Sequence, residues 1–258
     1  MINLKFSAVS KVAFTKLSKK NAFTLAEVFS SHFAGRRKPA FTLAEVLITL
    51  GIIGIVAAMT LPALIQNHRK HVVETRLKKF YTTMNQAIML SEVDHGDKRD
   101  WGVTDANMLY DEYLKKYLNH VQVEDRVVGG RPAKMIYFED GSAVLVDIYY
   151  LTNSDGSITY QSNGGHFLYY VNSKLMKTNN IDGINTFRFA FWPNAGGASF
   201  KYHYNKGVEP YKAHWNGDPA TFSSSEFGCN NSGGNRMYCA ALIQYNGWKI
   251  PNDYPFKF

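Results

Sequence analysis

The sequence predicts an α+β protein in which a long N-terminal helix packs on an aromatic-rich antiparallel β-sheet. Three observations lead to this prediction. Residues 41–65 are apolar and almost uncharged, residues 73–91 place apolar side chains at helical spacing, and short aromatic or β-branched segments follow Lys134. With 258 residues, 45% of them hydrophobic and 19% charged, the chain can bury a core and has the length of one domain or two.

Positive charge is concentrated at the N-terminus. The formal net charge is +8, and residues 1–40 contribute +7 of it, from eight lysines and arginines against Glu27 alone. A basic balance spread over a whole domain would favour nucleic acid or an anionic surface as a partner. Because the excess lies in the tail, we expect no nucleic-acid partner.

The apolar stretch at residues 41–65 predicts one transmembrane helix. It contains a single charged residue, Glu45, and a helix of this length spans about 37 Å against a hydrocarbon core of about 30 Å. A cleavable secretory signal would have a shorter apolar region ending in an A-x-A-like site. Eight lysines and arginines precede the stretch and five follow it within about 15 residues, which predicts a cytoplasmic tail and an exported C-terminal part.

Glu45 is unusual because an acidic residue in a membrane helix normally has a partner and a function. The basic tail, Ala40, the run FTLAEV at residues 41–46 and the long apolar stretch together resemble the class III signal of type IV pilins and type II secretion pseudopilins. The resemblance implies cleavage between Ala40 and Phe41, N-methylation of Phe41, and an assembly role for Glu45, which neutralises the N-terminal amine of a neighbouring subunit. Pro62 stands where the family usually has a helix-kinking proline. An ordinary anchor helix with a chance match is the alternative.

One position departs from the family pattern. The family prefers glycine before the cleaved bond, and Ala40 occupies that position here, preceded by Pro39. Alanine is a tolerated small residue, so we expect cleavage with reduced efficiency.

The resemblance also implies partners, a location and a division of the chain. The partners are a prepilin peptidase, other pilin or pseudopilin subunits, the inner-membrane assembly platform and membrane lipid. The location is the bacterial inner membrane, with a single pass, and afterwards a pilus or pseudopilus. The division is a removed leader at residues 1–40, a transmembrane helix at 41–65, its exposed amphipathic continuation at 66–95, and an extracytoplasmic head at 96–258.

The leader contains an internal repeat. Residues 22–28 read AFTLAEV, as do residues 40–46. A second processing site is one interpretation, but the residues that follow Val28 are too polar to span a bilayer. A short duplication within the leader, or an upstream start chosen for the reading frame, is the favoured interpretation.

Helical spacing continues beyond the membrane stretch. An apolar stripe predicts that the helix extends to about residue 95, and its members are Val73, Leu77, Phe80, Tyr81, Met84, Ile88 and Ser91. Residues 105–119 predict a second, shorter amphipathic helix. His68 and His71 share a helix face, but they lack cysteine or carboxylate partners at metal-binding spacing, so we expect a solvated surface there.

The C-terminal half predicts the sheet. Segments at 134–140, 141–150, 157–161, 166–172 and 184–192 are β-branched or aromatic and are separated by Asp-Gly and Gly-Gly turn signals. Packing against the helix is the favoured role of the aromatic residues. A carbohydrate-binding platform is the alternative.

Cys229 and Cys239 are the only cysteines, and they can form neither a CxxC pair nor a four-ligand zinc site. Export predicts a disulfide between them, and two buried free thiols are the alternative.

A calcium site is a weak candidate. Some major pseudopilins bind calcium in a late loop, and the comparable loop here contains Asn172, Asn179, Asn180 and Asp182. Calcium prefers several carboxylates, and only Asp182 is acidic, with Tyr170 where another acid would be expected. We therefore predict turn chemistry, no bound metal and no cofactor.

The sequence contains no G-x-S-x-G, H-E-x-x-H, P-loop or G-x-G-x-x-G motif. We therefore predict a structural filament subunit and no enzyme. The alternative is a membrane-tethered glycan-binding or hydrolytic domain that does not form filaments.

Overall fold

The computed structural model describes residues 41–149, 151–152, 158–159, 164–177, 180–194, 198–233 and 235–258. Three features of the sequence lie outside these ranges, namely the leader repeat at 22–28, Ala40 and Asn179. The chain divides into two units, Met1–Ala57 and Ala58–Phe258, which are described in turn.

In the first unit, the described residues form the beginning of helix α1 (Leu43–His95). The helix begins after Thr42, and the hydrophobic side chains of this part are exposed. Leu47 is 61% exposed and Ile53 is 62% exposed. Nothing within this unit covers them among the described residues.

In the second unit, α1 continues to His95 and buries one face. The buried residues are Val73, Leu77, Phe80, Met84, Ala87, Ile88 and Ser91. These are the predicted stripe, with Ala87 added and Tyr81 partly buried. The helix ends before Gly96, whose φ of 80° places it in the left-handed region. Its N–H donates to the Glu92 carbonyl oxygen at 3.0 Å, which is the usual way for a glycine to close a helix.

The second helical segment differs from the predicted single helix over residues 105–119. Helix α2 (Ala106–Met108) is capped by the Asp105 side chain, and a π-helix follows at Leu109–Leu114. The wider turn is closed by a bond from the Lys115 N–H to the Tyr110 carbonyl oxygen at 2.8 Å. The buried residues of this segment are Leu109, Tyr110, Tyr113 and Leu114.

The main sheet is antiparallel and has the strand order β1-β2-β3-β6-β7-β8. Its strands are β1 (Gln122–Val128), β2 (Arg131–Tyr137), β3 (Ala143–Ile148), β6 (Gly165–Tyr170), β7 (Thr186–Phe191) and β8 (Glu209–Pro210). A separate pair consists of β4 (Leu151–Thr152) and β5 (Ile158–Thr159). In the register of the central strands, Leu145 lies opposite Met135 on one side and Leu168 on the other.

Strand β1 was not predicted from the sequence. It joins β2 through Gly129 and Gly130, whose φ values of 55° and 79° suit a two-residue hairpin turn. Its middle residues, Glu124, Asp125 and Arg126, are polar because the strand lies at the edge of the described sheet. Such charged residues are common on edge strands.

Helix α1 packs on one face of the sheet, as predicted. The ring of Phe80 stacks on Tyr169 with centroids 4.3 Å apart and meets Phe189 edge-on at 4.9 Å. The other face is also covered, since Met135, Leu145 and the other side chains of that face form a second buried cluster. Two-sided burial explains why all six residues of β3 are buried.

The C-terminal region adds the short helices α3 (Thr221–Ser224) and α4 (Cys239–Tyr245). A disulfide joins Cys229 to Cys239, with Cα atoms 4.7 Å apart, so the predicted disulfide is confirmed. After α4 the chain returns to the core, where Phe256 and Phe258 are buried.

Candidate assembly site

The start of α1 is closed by a reciprocal capping arrangement. The Thr42 N–H and hydroxyl group donate to Glu45 Oε2 at 2.8 and 2.9 Å. In return, the Glu45 N–H donates to Thr42 Oγ1 at 3.2 Å. This is a capping box, in which the residue before the helix and the third helical residue satisfy each other's backbone donors. The carboxylate also lies at the positive end of the helix dipole. The local sequence therefore fixes Glu45 at the helix start.

Phe41 precedes the cap and is 85% exposed. Both bonds from Thr42 go to one carboxylate oxygen of Glu45. A carboxylate has about four acceptor positions, so Glu45 can accept a further donor without releasing the cap.

Two glycines follow on the exposed part of α1. A Cβ atom added to Gly51 or Gly54 would meet no atom within 4 Å among the described residues. Small residues of this kind allow a second helix to approach closely within a membrane. Among the described residues, α1 alone has the length and composition needed to cross a membrane.

Pro62 lies inside α1, and the helix continues through it. Proline has no N–H to donate to the preceding turn, so the backbone ladder is weaker there.

Further along, polar contacts fix α1 to the sheet. Arg76 donates to the carbonyl oxygens of Val171 and Asp140, each at 2.5 Å. Lys79 pairs with the Asp140 carboxylate at 2.9 Å. Burial raises the pKa of Asp140, but hydrogen bonds from Ser142 and Lys79 outweigh burial and the pKa lies below its usual value. The carboxylate is therefore ionised and available to both partners at neutral pH.

A second contact joins α1 to the C-terminal segment. Glu74 accepts from Lys249 Nζ at 2.8 Å and from the Ile250 N–H at 2.9 Å. Burial raises the pKa of Glu74, and these hydrogen bonds bring it below its usual value. The segment after α4 is thereby tied to the helix.

Two family models match the chain. Residues 35–61 match the prokaryotic N-terminal methylation motif, and residues 63–258 match a family of unknown function (DUF6613). The chain belongs to the DUF6613 family. No curated protein and no solved structure matches it.

The motif match confirms the predicted type IV pilin and pseudopilin signal in this DUF6613 protein. With its long apolar helix and antiparallel sheet, the chain is a pilin-type precursor with a pilin-like α+β fold. The helix and the motif together fit a single-pass membrane-anchored protein.

The calcium candidate is occupied by turn hydrogen bonds in this DUF6613 protein. Asp182 Oδ1 accepts from the N–H groups of Ile184, Asn185 and Thr186 at 2.8 to 2.9 Å. Asn172 Oδ1 accepts from the Lys174 N–H at 3.0 Å. These bonds are the chemistry expected of a tight turn. In the described part of the chain, no group of three or more potential metal ligands is present.

A half-buried polar cluster was not predicted from the sequence. It consists of Tyr81, Tyr202, Glu209, Lys212 and Gln244, which come from α1, a 3₁₀-helix (Ala198–His203), β8, the following segment and α4. Burial raises the pKa of Tyr81 to about 12 and lowers the pKa of Lys212 to about 8. Tyr202, Glu209 and Lys212 are close in the sequence, but Tyr81 and Gln244 are distant from them, and the positions follow no period that a sequence pattern could reveal.

Proposed function

We propose that this DUF6613 protein is a structural subunit of a type IV pilus or type II secretion pseudopilus. A prepilin peptidase cuts the precursor between Ala40 and Phe41, and the new N-terminus at Phe41 is methylated. The mature subunit then assembles through α1, with Glu45 neutralising the N-terminal amine of a neighbouring subunit. The chain itself has no catalytic role in this proposal.

The observation that carries the proposal is the placement of Glu45. It is the one formally charged residue in the apolar stretch at 41–65, and the capping box holds its carboxylate at the helix start. A carboxylate in a hydrocarbon environment is costly unless a cation pairs with it. The amine released by cleavage before Phe41 supplies such a cation at the corresponding depth of a neighbouring helix.

The exposed apolar side chains of residues 43–57 support the same conclusion. In lipid, each helix satisfies its own backbone hydrogen bonds, so association depends on close packing of side chains. Gly51 and Gly54 provide space for such packing. The partners in this proposal are the prepilin peptidase, other pilin or pseudopilin subunits, the inner-membrane assembly platform and membrane lipid.

The proposal divides the chain by environment. Residues 1–40 form the removed cytoplasmic leader, 41–65 the membrane helix, 66–95 its exposed continuation and 96–258 the extracytoplasmic head. The disulfide between Cys229 and Cys239 agrees with an exported head.

Processing is tested by mass spectrometry of the protein extracted from membranes of cells that contain a prepilin peptidase. The expected N-terminal peptide begins with methylated Phe41. An intact N-terminus ahead of Phe41 in those cells would contradict the proposal. Because the family prefers glycine before the cut, Ala40→Gly should increase the processed fraction.

The assembly role is tested by two substitutions of Glu45. Glu45→Gln keeps an acceptor for the Thr42 donors, since glutamine also serves in a capping box, but it removes the charge. We expect both Glu45→Gln and Glu45→Ala to insert into the membrane, and neither to enter filaments. Filament recovery by shearing and immunoblotting measures this. Normal incorporation of Glu45→Gln would show that the cap, and not the charge, is needed.

A further inference from the structure

The half-buried polar cluster places an amine beside an amide carbonyl group. Lys212 is 6% exposed, and its Nζ donates to Gln244 Oε1 at 2.8 Å and to the Tyr202 hydroxyl group at 2.9 Å. The surroundings are aromatic, with Nζ 4.2 Å from the ring centroid of Tyr202 and 5.2 Å from that of Trp215. Burial among these rings lowers the pKa of Lys212 to about 8. A usable fraction of the amine is therefore neutral and nucleophilic near neutral pH.

The same amide meets a carboxylate on its nitrogen side. Gln244 Nε2 donates to Glu209 Oε2 at 3.2 Å. Glu209 is 8% exposed, and the Tyr81 hydroxyl group donates to its other oxygen, Oε1, at 2.9 Å. The Tyr202 hydroxyl group also donates to Glu209 Oε2 at 3.4 Å. Tyr202 thus lies between the amine and the carboxylate.

We propose that Lys212 and Gln244 form an intramolecular isopeptide bond, with Glu209 transferring the proton. The neutral Lys212 Nζ attacks the Gln244 side-chain carbonyl carbon, which forms the new N–C bond. The proton lost from Nζ passes through the Tyr202 hydroxyl group to Glu209. Glu209 delivers it to Gln244 Nε2, the old C–N bond breaks, and ammonia leaves. Glu209 returns to the carboxylate form, and no oxidant, reductant or further reactant is needed.

The reaction exchanges one amide for another. It is therefore driven by the placement of the reacting groups next to each other and by loss of ammonia to the solvent. Groups held in contact react as if at effective concentrations of about 10⁵ to 10⁸ M when correctly aligned. Here the tertiary fold holds all three groups, since Glu209 belongs to β8 and Gln244 to α4. The product is a covalent link between these regions of the head.

A tryptic map of the full chain, purified from membranes, tests the proposal. Trypsin cuts after lysine and arginine, so an unmodified chain gives separate peptides 213–236 and 237–249. The isopeptide bond blocks cleavage after Lys212 and joins peptide 207–236 to peptide 237–249, with one ammonia lost. Both peptides contain a cysteine of the disulfide, so the sample is reduced and alkylated first, and only the isopeptide link survives.

The expected result is the joined peptide in the wild-type chain. Complete recovery of separate peptides 213–236 and 237–249 from a folded, disulfide-bonded protein would overturn the proposal. This measurement needs no variant, so it decides the question even if substitutions impair folding.

Two variants test the assignment of roles. Glu209→Gln keeps the size of the side chain but cannot carry the proton, so the joined peptide should be lost. Lys206→Arg is the matched control, because Lys206 Nζ lies 3.4 Å from the centroid of the same Tyr202 ring, whereas the hydrogen bonds to the Gln244 amide in the described structure come from Lys212 and go to Glu209. It should keep the joined peptide. An unchanged yield in Glu209→Gln would overturn the role of Glu209.

Discussion

The two parts of α1 have opposite relations to the rest of the molecule. Residues 43–57 expose their large apolar side chains, such as Leu50 at 60% and Ile53 at 62%. Between residues 73 and 91 the apolar stripe is buried, and within it Leu77 and Met84 are fully buried. One continuous helix therefore contains two different parts. The apolar stripe of the later part is buried within its own unit, whereas the apolar side chains of the first part need another environment to cover them. Burial, more than helical structure, distinguishes the two.

The largest expected loss of stability comes from truncating a buried side chain of α1. Leu77→Ala should reduce the free energy of unfolding of the head by about 3 kcal/mol, because a fully buried leucine leaves a cavity when it is truncated. Ile53→Ala is the matched control on the exposed part and should leave that free energy unchanged. All four tryptophans lie beyond residue 100, so their fluorescence in a denaturant titration of the full chain in detergent reports the head. Equal losses in the two variants would contradict the comparison.

A smaller loss of stability is expected when the disulfide in the head is removed. The double variant Cys229→Ser, Cys239→Ser should lose about 2 to 3 kcal/mol, because the disulfide restricts the unfolded chain. Thiol labelling of the exported wild-type protein should find neither cysteine free. Ser232→Ala, on the exposed surface of the loop between the two cysteines, is the control and should not alter stability. Neither change should affect insertion of the exposed part of α1.

The smallest effect is expected at the contact between α1 and the C-terminal segment. Glu74→Gln should cost about 1 kcal/mol at pH 7, since Lys249 is largely exposed and the pair is screened by solvent. The pKa of Glu74 is lowered in the folded state. Its stabilisation is therefore present above the ordinary glutamate pKa and is lost as pH falls through the lowered value.

The difference between wild type and Glu74→Gln should accordingly shrink toward zero in acid. Denaturant titrations at several pH values measure it. The control is Lys115→Gln, which removes an exposed pair with Asp111 at 3.6 Å, and a change below about 0.5 kcal/mol is expected there. A difference for Glu74→Gln that grew in acid would contradict the assigned ionisation.

The sequence was informative where a single physical requirement governs many neighbouring residues. The stretch at 41–65 is apolar and almost uncharged, and in the stripe from Val73 to Ser91 the apolar side chains recur at helical spacing. Both the helix and its buried face were therefore predicted. The FTLAEV motif was equally clear, because the basic tail, the acidic residue and the apolar length agree with one another.

The sequence was less informative where neighbours in space are distant in the chain. Strand β1 is polar because it lies at an edge of the sheet, so its residues lack the alternation of a half-buried strand. The π-helix at Leu109–Leu114 breaks the period on which helix prediction depends. The contact of Lys212 with Gln244 exists only after α4 has packed beside β7 and β8.

The hairpin turn at Gly129 and Gly130 offers a practical site for a label. Both glycines are exposed, and the turn joins the edge strand β1 to β2. Extra residues in an exposed turn cost little, since closing a loop of twice the length costs only about 0.6 kcal/mol more. A short epitope placed there, or a cysteine-free tag that binds a fluorophore, would allow the head to be imaged on cells. The sequence of the helix and its cap would stay unaltered.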